Sequence, residues 1–264
     1  MFQGAMLPGG NGPGQDRWRE VGNAAVVLDG ASSFTPALVD AQNYVDNLLI
    51  HITQSLRKDY TSLVNVLSSS IRRSAEDLEL PARGRPSSTV LIAQVDANSL
   101  KVLTLGDSTA IVCMKDGQIH RITDDRLSTV GTEHRKEYRS RLISGSGYDE
   151  THKRILRALQ EEELKRRNRP DGYWIAEYAP EAAAEAVQCS FPLTEVEWFV
   201  LTTDGAQRPI DHLGIEWSRV AYMSTPELED LLGRLHHWEE TEDQTASLLP
   251  RAKLHDDKTI VVWR

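Results

Sequence analysis

The chain has 264 residues, 30 Lys and Arg against 39 Asp and Glu, and a formal net charge of −9. That length favours one large domain with an inserted region over two full domains, and the acidic balance argues against a nucleic-acid partner, which requires clustered Lys and Arg. No run of about 18 apolar residues occurs, so no membrane span is expected. The stretch from Met1 to Gly14 is rich in Gly and Pro and lacks the basic head and apolar core of a signal peptide, so a cytoplasmic protein is expected. Cys113 and Cys189 lie in strand-like surroundings without metal or redox spacing, and both are expected to be buried small hydrophobes.

In chain order, Asn23 to Leu28 is a short apolar run that reads as a buried strand stopped by Asp29 and Gly30. Thr35 offers an N-cap oxygen with Pro36 at the first helical position, and Leu38, Val45, Leu48, Leu49, Ile52 and Leu56 recur at helical spacing. A second amphipathic helix is predicted from about Thr61, with Leu63, Val64, Leu67 and Ile71 on one face, ending before the Pro81 to Pro86 loop. Ser88 to Val95, Leu100 to Leu105, Ala110 to Met114 and Gln118 to Ile122 then read as strands whose short connections predict an antiparallel meander. The segment 127–192 differs in composition, being rich in Arg and Glu with a helical stretch near Thr151 to Arg167, and suggests a solvated excursion. Glu195 to Thr203 returns to a buried strand, Pro226 to Trp238 gives an amphipathic helix and Lys258 to Trp263 supplies a last strand. Strands, helices and strands again imply antiparallel sheet covered by helices.

Aspartates recur where these apolar runs end or break. Asp29 precedes Gly30, Asp107 sits in Gly106-Asp107-Ser108, Asp204 in Thr203-Asp204-Gly205, and Asp256 with Asp257 stands before the last strand. Carboxylates delivered to strand ends, with Gly beside them to let backbone approach, suit a hard divalent cation such as Mg²⁺ or Mn²⁺. Two such cations can acidify a bridging water and neutralise phosphoryl oxygens, so phosphomonoester hydrolysis needs no protein nucleophile.

These pieces, with Gly14-Gln15-Asp16-Arg17 before them and Ser87-Ser88-Thr89 opening a strand, together resemble the metal-dependent protein phosphatases of type 2C over most of the chain. The resemblance implies an α+β fold, a four-layer α-β-β-α sandwich of two antiparallel sheets flanked by helices. It implies one domain over 1–264, with 127–192 as a flap-like insertion beside the metal cleft. It also implies a serine/threonine phosphatase of phosphorylated proteins, using two or three Mn²⁺ or Mg²⁺ ions. By the same resemblance Asp29 bridges the two ions with the Gly30 carbonyl beside it, Asp204 and Asp256 complete the pair, and Asp107 holds a third, weaker ion. Asp16 reaches metal directly or through water, while Asp257, at a position usually Asn, orients the Asp256 loop.

Two departures from the pattern bear on activity. The Arg that grips substrate phosphate a few residues before the acid pair is missing from Leu7 to Gln15, leaving Arg17 or Arg19 as substitutes. Ala31-Ser32-Ser33 also lacks the His that serves many relatives as general acid. A fold that binds metal without turnover, as a regulatory module, and hydrolysis of a small phosphorylated metabolite are therefore the competing functions. The histidines form no His-x-x-x-His pair, so zinc chemistry of the His and Cys kind is not expected; His255 alone stands next to a site residue. Arg135, Arg139, Arg141 and the Arg166 to Arg169 cluster could meet a phosphorylated partner, although a solvated surface is the simpler reading.

Overall fold

A strand whose residues are apolar on both faces must be covered on both, and Ala24 to Leu28 and Val90 to Ala93 are of this kind. The computed structural model, which describes residues 1–31, 39–57, 62–81 and 84–264, buries them in the middle of a sandwich. Its strands are β1 (Phe2–Leu7), β2 (Asp16–Val21), β3 (Ala24–Gly30), β4 (Ser88–Val95), β5 (Ser99–Leu105), β6 (Thr109–Met114), β7 (Ile119–Ile122), β8 (Val187–Pro192), β9 (Val196–Thr202) and β10 (Lys258–Trp263). They form two five-stranded sheets, in the orders β2-β3-β4-β5-β8 and β1-β10-β9-β6-β7. All of the pairings between them are antiparallel.

The period-two alternation of strand side chains divides the interior into three apolar layers. Ala25, Val27, Leu91, Phe199, Leu201 and Val261 meet between the sheets. Val26, Leu28, Val90 and Ile92 face the other way, against helices α1 (Ala41–Leu56) and α2 (Leu63–Asp77). Trp198, Val200, Ile260 and Val262 pack on the opposite surface, where α5 (Asp204–His212), α6 (Trp217–Ala221) and α7 (Thr225–Thr241) lie. Between the sheets in sequence, α3 (Thr132–Ile143) and α4 (Glu150–Arg166) pair through a small core of their own containing Tyr138, Leu142, Ile155 and Leu159. The four-layer sandwich expected of the sequence is therefore the observed architecture. Among the described residues no helix is long and apolar enough to cross a membrane.

Several local expectations need correction. The cap predicted at Thr35 and Pro36 lies outside the described residues, as does Thr61; α1 starts at Ala41, where the Asp40 side chain accepts the Asn43 N–H at 2.7 Å, and Ser62 caps α2. The glycine-rich start contributes structure, since β1 is made from it. Within the span read as an excursion, Val187–Pro192 is an edge strand paired with β5, and Ala182 and Ala183 are buried against the α1–α2 layer. Burial of Cys113 agrees with expectation, but Cys189 on that edge strand is only partly buried.

The largest difference concerns the meander. β4 pairs with β5 and β6 with β7, yet β5 and β6 belong to different sheets, so the chain crosses the sandwich at Gly106-Asp107-Ser108. Short connections favour antiparallel neighbours only when the strands stay in one sheet; here a backbone kink intervenes. Gly106 has a φ of 89°, and a Cβ there would come within 2.9 Å of Thr89 Cγ2. The kink is held by the hydroxyls of Thr89 and Ser108, 2.7 Å apart, and by Thr104 Oγ1 donating to the Ser108 carbonyl at 3.0 Å. Replacing Gly106 with Ala should therefore cost about 1–2 kcal/mol from the left-handed backbone alone. Urea unfolding will measure it; an unchanged midpoint would show that the crossing does not depend on this glycine.

Candidate metal centre

The crossing between sheets leaves Asp107 at one end of the sandwich, and the ends of three other strands bring acids to the same place. Asp16 opens β2 directly opposite Asp29 near the end of β3, and Asp29 in turn pairs with Thr89. Asp204 lies in the first turn of α5, immediately after β9. Asp256 belongs to the loop entering β10, so close to α5 that a Cβ on Gly205 would fall 2.9 Å from Asp256 Cβ and 2.0 Å from the Asp257 carbonyl oxygen. Only glycine fits between those two backbones, which explains the Asp-Gly pair in physical terms. Gly30 is similarly crowded, with Gln15 Cβ 2.9 Å and Val45 Cγ2 3.0 Å from where its Cβ would be.

Asp16 is the most buried of the five acids, and it ties the two sheets together. Its Oδ2 accepts from the hydroxyls of Thr203 and Thr259, each at 2.8 Å, while the backbone N–H of Thr259 donates to Thr203 Oγ1 at 3.0 Å. Its Oδ1 is buried with no hydrogen-bond partner. An orphaned carboxylate oxygen of this kind is costly unless something positive meets it. Asp257 is used differently: its two oxygens accept the backbone N–H groups of Gly9, at 2.6 Å, and of Gln15. That holds the loop after β1 against the loop before β10.

The carboxyls also raise one another's proton affinity. Burial pushes Asp16 up to about 7, against the pull of its two hydroxyl donors, with Asp257 and Asp256 adding to the rise. Asp29 is pushed well above the usual carboxylate range, first by burial and then by Asp16, Asp204, Asp256 and Asp107. Asp204 rises to about 7 through burial, then Asp256 and Asp107, partly offset by Arg208 and Lys253. Asp107 is raised chiefly by burial. These influences are short-ranged, so they also record that the five sequence-predicted acids meet in one place. An all-oxygen set of this charge fits a hard divalent cation rather than zinc.

Beside it opens a cleft of about 310 Å³ whose wall includes Asp107, Asp204, Asp256, Arg139, Arg208 and Lys253. Lys253 Nζ lies 2.6 Å from Asp256 Oδ1 and Arg208 Nη1 lies 4.0 Å from Asp204 Oδ2. Neither cation was singled out from the sequence; their positions, four residues after Asp204 and three before Asp256, were the only available signal. The arginines that were considered serve other purposes. Arg17 is engaged by Asp46 at 2.6 Å and by the carbonyls of Gly14 and Asp16, and Arg19 is exposed on the same strand. Arg135 pairs with Glu163, Arg141 with Asp149, Arg166 with Asp171 and Arg167 with Glu177. Arg139 on α3 faces the cleft without a carboxylate partner among the described residues.

Two sheets flanked by helices, with clustered acids at one end, define a metal-dependent phosphoester hydrolase. A model of the family described as Protein phosphatase 2C matches residues 4–252, and the chain belongs to that family. Solved structures share the fold at low identity. The serine/threonine phosphatase Stp1 from Staphylococcus aureus is 14% identical, covering 99% of this chain and 93% of its own, with a TM-score of 0.60. The phosphatase MsPP from Mycobacterium smegmatis, in complex with cacodylate, is 14% identical over 99% and 97%, with a TM-score of 0.53. The catalytic domain of PstP, in complex with two manganese ions, is 15% identical over 99% and 96%, with a TM-score of 0.50. No curated protein matches the chain.

The raised carboxyls give a signed pH dependence. The folded chain holds protons on Asp16 and Asp204 up to about pH 7, whereas the unfolded chain releases them in the ordinary carboxylate range near 3.8. The native state thus binds more protons in that window, and stability falls as pH rises through it. In chelator, the melting temperature should drop between about pH 4 and about pH 7, and saturating Mn²⁺ should remove most of the drop. Asp29→Asn should raise the stability of the chelated protein by about 1–2 kcal/mol and abolish the gain from Mn²⁺. A flat pH profile in chelator would contradict this account.

Proposed function

We propose that Asp16, Asp29, Asp204 and Asp256, with the Gly30 carbonyl, hold a pair of Mn²⁺ or Mg²⁺ ions, that Asp107 contributes to a weaker third position, and that the centre hydrolyses phosphoserine and phosphothreonine in proteins. The observation that carries this reading is the convergence of five acids at one end of the sandwich, with Asp16 Oδ1 left without a protein partner. When bound, such a pair of ions supplies an acidified water and neutralises charge on the phosphoryl oxygens. Manganese in the PstP structure is consistent with the choice of ion.

The chain's own residues do the positioning. Asp29 feels the charge of Asp16, Asp204, Asp256 and Asp107, which supports its reading as a ligand shared between two cations. Thr203 and Thr259 fix one oxygen of Asp16 and leave the other to face the site. Arg208 and Lys253 place positive charge on the cleft wall beside Asp204 and Asp256, where a substrate phosphate would meet it, and thereby supply what the missing N-terminal Arg would have given. The helices α3 and α4, with Arg139 facing the cleft, act as the flap of a single domain against which a phosphoprotein lies.

With phosphopeptides and a generic aryl phosphate, the wild type should be active in Mn²⁺, less active in Mg²⁺ because Mn²⁺ binds carboxylates more strongly, and inactive in chelator. Asp29→Ala and Asp204→Ala should each lower kcat/KM by at least about 100-fold, since even residues that only support metal ligands cost that much. A wild type as inert as both variants, while still binding Mn²⁺, would leave a binding module instead. Preference for a small phosphorylated metabolite over every phosphopeptide would overturn the substrate class.

A further inference from the structure

The loop that delivers Asp256 is suspended from the end of α7 by a buried acid that the chemistry above does not use. Glu239 lies in the last turn of α7, where the helix C-terminus disfavours a negative charge, and its side chain is 2% exposed. Its Oε2 accepts from Lys258 Nζ at 2.7 Å and stands 2.9 Å from His255 Nδ1. Lys258 is fully buried and also donates from Nζ to the backbone carbonyl of Asp256 at 3.0 Å. One carboxylate oxygen therefore holds the residue immediately before Asp256 and the lysine two residues after it. Arg251, at the start of the same loop, is pinned to Asp243 and to the carbonyls of Glu239 and Asp243 just beyond α7.

His236, Glu239 and His255 also bring possible metal-ligand atoms within 4.8 Å of one another. Two observations argue against a second ion there. The Lys258 ammonium already occupies the Glu239 oxygen, and the two imidazoles are stacked at 3.7 Å with planes 12° apart, so their in-plane lone pairs run side by side instead of converging. Burying an ion pair gains little stability over apolar residues of similar size. Its retention beside a site residue therefore calls for another use.

We infer that Glu239 is a positioning residue, which through Lys258 and His255 fixes the Asp256 loop in the geometry that binds the cation pair. The inference rests on the metal-centre reading. Outer partners that orient metal ligands typically change affinity by about 10- to 100-fold when removed, and that sets the expected size of the effect.

The test compares Mn²⁺ binding, by calorimetry and by electron paramagnetic resonance, in the full chain and in two variants. Glu239→Gln leaves Lys258 buried without its counter-charge and should weaken Mn²⁺ binding while lowering the melting temperature. Glu239→Leu with Lys258→Met removes both charges together, so its unfolding should stay cooperative at or above the wild-type temperature. If Glu239 positions the loop, this double variant still binds Mn²⁺ about 10- to 100-fold more weakly. Wild-type affinity in the double variant would reduce the ion pair to a purely structural role and overturn the inference. So would a Zn²⁺ site lost in Glu239→Gln with Mn²⁺ affinity unchanged, since the trio would then be a separate metal site. Absence of Mn²⁺ binding in the wild type would instead sink the metal-centre reading, and this inference with it.

Discussion

The burial of several mutually repelling acids in one place is the constraint around which this molecule is arranged. Five carboxyls in one place oppose folding, and the surrounding structure has to hold them together against that force. Asp16 shows how: hydroxyls from Thr203, just after β9, and from Thr259 on β10 grip one of its oxygens, so the edge of one sheet is tied to the middle of the other within the acid cluster. The same placement leaves an oxygen with no partner and lifts the proton affinity of its neighbours. Such local loss of stability is a pattern common at functional sites.

Each acid arrives by a different structural device, and each device has a backbone reason. Asp29 comes from a central strand rigid because it is covered on both faces; Asp107 from a kink that carries the chain between sheets; Asp204 from the first turn of a helix; and Asp256 from a loop fastened on two sides. Two of the four depend on glycine for reasons of space or backbone angle, at Gly106 and Gly205. The cleft wall also carries Arg139, Arg208 and Lys253, although the chain as a whole is acidic. Net charge therefore describes the surface at large and says little about the field a phosphate would experience on approach.

Much of this was legible in the sequence because strand-end acids beside glycine are a local signal. Asp29-Gly30, Gly106-Asp107 and Thr203-Asp204-Gly205 each carry their own context within a few residues, and continuous apolar runs such as Val26 to Leu28 identify the strands covered on both faces. What was not legible depends on contacts distant in the chain. The sheet change at Gly106 is invisible to a reading that pairs neighbouring strands, because the hydroxyls that hold it come from Thr89 and Ser108, on either side of β5. β1 and β2 were hidden by the Gly and Pro around them, and β8 by the charged segment that precedes it. The cleft cations Lys253 and Arg208 carry only a weak local pattern, three residues before Asp256 and four after Asp204, and the ion pair of Glu239 with Lys258 carries none, since its partners stand on different elements.

The bonds from Asp257 to Gly9 and Gln15, and from Thr259 to Asp16, join stretches separated by more than 240 residues. Closing so long a loop is entropically expensive and slow, and contacts of this range form late in folding. During synthesis, which proceeds from the N-terminus, Asp16 and Asp29 leave the ribosome long before their partners exist. The acid cluster is accordingly incomplete in every nascent chain that has not yet released residues 256–259.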